Sequence, residues 1–394
     1  MKAMALVSTL VLVALMGCKS SDKKVEADNG ATWTGTMQNM ADSLGNLLSL
    51  SLDPVAFNSA ENQQLIDTEL NRLAQFSHDV AAMKKKPSDD PSMPVVARQF
   101  SAEMQEARRQ LQLGNRSFAR MMIKNTTGYC VSCHSQTDRG PQFHFTGSSA
   151  LAKLNALDRA NFLFAVRRFD EGLVEFKKAM DTPDLALYPF SVLENVTIKA
   201  LAVSVRVKQD PMLAESIINF MVQSKWAPVY LQISAMKWRG SIQEWQKSKG
   251  KAKTLADAKA LVAKAWKKQM ESPLARAGLI EYLRASALLH QLLSDRKAGK
   301  TYAETLYYAG LTSEALKDLD ASDLSESYYE ACIRHLPQSE TARNCYLRLE
   351  GLSIANYSQF DSAPMPADMR QHLDELKKLA EPKENTWREW GDHR

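Results

Sequence analysis

From residue 36 onward the apolar residues recur every three or four positions, and no window keeps a period of two. That pattern leaves no run able to form a half-buried strand. The chain is therefore expected to be all-α. With 45% hydrophobic and 24% charged residues it can bury more than one core.

Four helices are expected before residue 147. Met37, Met40, Leu44, Leu47 and Leu48 share one face of a first helix that runs toward Pro54, and a second from about Ala60 carries Leu65, Leu70, Leu73, Phe76, Val80 and Met83. Pro87, Pro91 and Pro94 interrupt the pattern, because proline lacks a backbone donor and clashes with the preceding turn. A third helix follows through Phe100, Met104 and Leu111 to Gly114. The fourth starts near Asn115 and carries Phe118, Met121 and Met122 toward Cys130. Short and moderate connections make residues 36–147 an up-and-down four-helix bundle, with Met121 and Met122 lining a pocket.

The fourth helix ends in CVSCH, residues 130–134. Two cysteines separated by two residues, with a histidine directly after, is the spacing of covalent haem c attachment. Cys130 and Cys133 would form thioethers to the haem vinyl groups, and His134 would be the proximal iron ligand. A thioredoxin-like pair needs a βαβ setting, which the helical pattern excludes. A zinc site needs a fourth ligand, and the nearest, His144, lies beyond Pro141. A disulfide across two residues has no use for the histidine.

A haem motif at the end of four helices resembles the cytochrome c-prime family and its low-spin relatives, in which a four-helix bundle carries the haem on its last helix. Phe57-Asn58, after Pro54, is similar to the aromatic-Asp pair that opens the second helix of that family. Aligned on this pair, the resemblance puts the distal position on Met37, with Met40 one turn further; His78 and His144 are lesser candidates. A sixth ligand would suit electron transfer. An open site would bind NO or CO.

The N-terminal sequence MKAMALVSTLVLVALMGC reads as a secretory signal over residues 1–17, and its Leu-Met-Gly-Cys ending resembles the lipobox of bacterial lipoproteins. That resemblance implies lipidation of Cys18, a membrane anchor on the periplasmic side, and, with Lys19 next, the outer membrane. Residues 18–35 are polar and suit a tether. The net charge of +5 is too small to imply nucleic acid.

Residues 150–382 read as successive helices, followed by a tail at 383–394. Ala160, Leu163, Phe169, Gly172, Phe176 and Ala179, followed by Pro183, resemble one tetratricopeptide repeat, and Tyr329, Ala331, Pro337 and Ala342 resemble a looser one. The resemblance implies an irregular TPR-like helical-hairpin solenoid that docks a redox partner protein. Lysines 247, 249, 251, 253, 259, 264, 267 and 268 make its middle basic, as a solvated face or a docking patch. Cys332 and Cys345 flank the Pro337 turn and are expected as a disulfide in an oxidising compartment or as two buried thiols.

No phosphate loop, zincin helix or nucleophile elbow is present. The expectation is a lipid-anchored monohaem electron carrier; a haem-based gas binder and a scaffold lipoprotein are the alternatives. The oligomeric state stays open.

Overall fold

A computed structural model describes residues 32–83, 90–138, 140, 142–143, 151–248, 252–294, 299–319, 324–358 and 365–381. Cys18, Arg139 and His144 lie outside the described residues. Among the described residues every regular element is helical.

The first helix, α1 (Trp33–Ser51), is capped by the Thr32 hydroxyl, which accepts from Gly35 N at 3.3 Å. A short α2 (Pro54–Asn58) follows, with Asp53 as its cap and proline where the missing donor costs nothing. Then come α3 (Gln63–Ala82), α4 (Ser92–Gln112), α5 (Arg116–Asn125) and α6 (Thr127–His134). Helix α1 packs on α3, α3 on α4, α4 on α5, and α5 returns to α1. Leu44, Leu47, Leu70, Leu73, Met104 and Ile123 fill the space between them.

The expected fourth helix is two helices. Thr126 breaks it, donating its hydroxyl to Met122 O at 3.1 Å, and back-bonding of this kind to the fourth preceding carbonyl bends a helix. Past this point α6 packs into the rest of the molecule. Its Val131 is fully buried in the core of the second half, and Phe162 and Val166 of that half are buried in the core of the first.

The second half begins with α7 (Ala156–Ala165) and α8 (Phe169–Met180), which pack as a hairpin. A Cβ on Gly172 would lie 2.6 Å from the Phe164 ring, so only glycine lets these helices come so close. Helix α9 (Phe190–Ala202) continues as a π-helical turn, Val203–Val207, and is followed by α10 (Pro211–Gln223), α11 (Val229–Lys247), α12 (Leu255–Glu271), α13 (Leu279–Ser294), α14 (Lys300–Ala315), α15 (Ser325–His335), α16 (Glu340–Ser358) and α17 (Ala367–Ala380). Neighbours in sequence pack as α10 on α11, α12 on α13, α14 on α15 and α15 on α16. Among the described residues no helix is long and apolar enough to cross a membrane.

Cys332 on α15 and Cys345 on α16 are joined by a disulfide, 13 residues apart in sequence and fully buried. Closing a loop of this length restricts the unfolded chain by about 3 kcal/mol. Replacing both cysteines with alanine is expected to lower the urea midpoint accordingly. An unchanged midpoint would mean that the packing of Tyr329, Ala342 and their neighbours alone holds this hairpin.

Candidate functional site

One turn of α6 sets Cys130, Cys133 and His134 along the wall of a cavity of about 420 Å³, lined mainly by apolar side chains. The facing walls come from distant parts of the chain: Trp33, Thr34, Met37 and Met40 from α1, Met93, Val96, Ala97 and Phe100 from α4, and His290 and Ser294 from α13. Met37 and Met40, nearly one turn apart on α1, thus share the cavity with the three residues of the CVSCH motif. Met37 is half-buried and Met40 buried. His78 is exposed on α3 and lines no part of it. The pocket-lining role expected of Met121 and Met122 is not found: Met121 points to solvent, and Met122 is buried in the bundle core.

His134 is held from both ends by the last residue of α7 and the turn after it. Its Nδ1 lies 2.5 Å from Ala165 O, and its own carbonyl accepts from Arg167 Nη1 at 2.7 Å. A carbonyl oxygen can only accept, so Nδ1 carries the proton and Nε2 keeps its lone pair. Removal of the ring from water, with the Arg167 charge beside it, outweighs the hydrogen bond and lowers the imidazole pKa to about 4. At neutral pH the ring is uncharged, as a metal ligand must be. Phe143 stands beside it, ring centroids 5.4 Å apart.

Neither sulfur of α6 is in a disulfide. Burial pushes Cys130 up to about 12, against smaller opposing effects from a backbone hydrogen bond and the Lys199 charge. A thiol so raised is protonated at neutral pH.

Several cavity residues were not anticipated from the sequence, and four of them bear on its chemistry. Met93 stands between Pro91 and Pro94, a stretch that reads as an interruption; Arg167 sits in a turn without a motif; Asp90 and His290 lie 200 residues apart. Yet the last two meet: His290 Nδ1 is 2.8 Å from Asp90 Oδ2, and the other carboxylate oxygen, Oδ1, accepts from the Ser92 hydroxyl at 2.7 Å and the Tyr328 hydroxyl at 3.1 Å. Their residues come from the segment before α4, from α13 and from α15. This buried cluster bolts the two halves together at the cavity rim.

The donor set suits a covalently held haem. Two thiols and one imidazole with a free Nε2 face a largely apolar space within the usual size of ligand sites. A buried guanidinium nitrogen, Arg167 Nε, also lies there without a hydrogen-bond acceptor. Comparison of the chain with protein-family models, curated proteins and solved structures gives no match in any of the three.

Proposed function

We propose that the chain is a lipid-anchored, periplasmic monohaem c-type cytochrome that passes single electrons, its second half acting as a TPR-like surface for a redox partner. The observation that carries this reading is the convergence of Cys130, Cys133 and the free Nε2 of His134 on one apolar cavity. Each thiol would add across a vinyl group, the sulfur bonding one carbon and the hydrogen going to the other. A haem held there supplies one-electron exchange at its iron.

The protein's part is to hold and to exclude water. Ala165 O fixes the tautomer and ring plane of His134. Val96, Phe100 and Phe143 are buried against the space and keep it dry, and a dry site raises the cost of the charged ferric state. Lipidation at Cys18 and sorting to the outer membrane rest on the lipobox resemblance. The tetratricopeptide reading rests on the α7–α8 hairpin and its Gly172 contact.

Met37 is the proposed sixth ligand, because it stands on the first two turns of α1, on the cavity that receives His134. Met37→Ala is expected to abolish the methionine-to-iron charge-transfer band of the oxidised protein and to open the reduced protein to CO. Met40→Ala and Met93→Ala should leave both signals in place. Wild-type protein that is high-spin and takes up CO readily would instead make the site a gas binder.

A further inference from the structure

Arg167 is the sole lysine or arginine among the described residues lining the cavity, and it is placed there at a cost. Its backbone is left-handed, at φ 62°, a region that side-chain-bearing residues seldom occupy. Its side chain is buried, only 5% of the residue being exposed, and among the described residues no carboxylate forms an ion pair with it. Asp138, exposed after α6, contributes its charge from a distance.

The guanidinium has five N–H groups. Nη1 donates to His134 O at 2.7 Å and more weakly to Thr137 O at 3.4 Å, and Nη2 donates to Asp138 O at 2.8 Å. Those three carbonyls close the end of α6. Among the described residues Nε has no acceptor. The Phe169 ring covers one approach, 5.3 Å from the guanidinium carbon, and on Gly140 a Cβ would sit 3.4 Å from Nε. A charge so desolvated, with a donor left over, calls for an anion inside the cavity.

We infer that Arg167 is a carboxylate-binding site of this cavity, receiving through Nε–H one carboxylate of the occupant. The inference rests on the haem reading, under which that carboxylate is a haem propionate. Arg167 then does two things with one group: its Nη atoms hold the end of α6, and its Nε would hold the carboxylate edge of a haem that the thioethers anchor at the other side. It is a binding and positioning residue, and takes no part in bond making.

The test uses the full haem-bearing chain, with the haem carboxylates labelled by ¹³C. Covalent haem is verified first on denatured protein. A wild type without it sinks the cytochrome reading and this inference together, whereas the outcomes below bear on Arg167 alone. In redox-difference infrared spectra, the ¹³C-sensitive carboxylate band is expected to shift in Arg167→Gln and to return most of the way in Arg167→Lys. A band unmoved by Arg167→Gln overturns the proposal. Should that variant not fold, a crystal structure of the haem-bearing wild type decides: a propionate oxygen within hydrogen-bond distance of Nε upholds the assignment, and a water or protein oxygen there overturns it.

Discussion

Replacing Cys130 and Cys133 together with alanine is expected to leave the chain with no haem after denaturation in acid-acetone, while the wild type keeps all of it. The loss is complete because the two thioethers are the only covalent links proposed, and each single variant should keep one of them. The change removes two sulfurs and leaves the His134–Ala165 contact and the carbonyl cap from Arg167 untouched. Far-ultraviolet dichroism of the double variant should therefore remain helical. A wild-type chain whose haem extracts freely would refute covalent attachment and with it the role given to the α6 thiols.

Asp90→Ala is expected to destabilise the protein by about 3–5 kcal/mol, the range for breaking a buried ionic pair by removing one partner. Asp90 is 6% exposed, and its carboxylate is shared among His290, Tyr328 and both the N–H and the hydroxyl of Ser92, so its loss strands four donors at once. Burial raises its pKa, but the hydrogen bond and charge of His290, with the Ser92 bonds, outweigh this and hold it below the ordinary value of 3.8. The sign follows: the folded state binds this proton less readily than the unfolded one. The contribution of Asp90 is thus complete above the unfolded value, and it disappears as pH falls through the lower folded one. The gap between the urea midpoints of wild type and Asp90→Asn should be widest at pH 7 and narrow as the pH is lowered below 3.8. Equal midpoints at pH 7 would mean that the cluster holds nothing.

The helical class was legible because burial of Leu44, Leu47, Leu70, Leu73 and Met104 imposes a spacing that survives in the sequence. The CVSCH motif was legible because its chemistry is local, confined to one turn. What stayed hidden was the joining of distant parts. Nothing near Asp90 marks His290 as its partner, and nothing near His134 marks Ala165 and Arg167 as its holders, since such contacts depend on how whole hairpins pack. The break at Thr126 was hidden for another reason. It arises from a threonine hydroxyl bonding its own helix, which carries no proline or glycine signal. Met93 was passed over because the prolines beside it read as an interruption; Pro94 instead lies in the first turn of α4, where its missing N–H is tolerated.

Helix α6 belongs to three cores at once: Val131 packs into that of the second half, Cys130 touches both this and the bundle core, and Cys133 packs with the cluster around α15 and α16. On the proposed function this sets an order of events during biogenesis. A maturation enzyme must reach both sulfurs and the imidazole while the segment is still loose, so attachment has to precede closure of everything after residue 150. On the same reading a chain that misses the enzyme would carry an unfilled, largely apolar cavity beside α6 and be the more open to proteases. Unattached protein should consequently be short-lived in the cell, and the amount of finished cytochrome would track haem supply without any dedicated regulator.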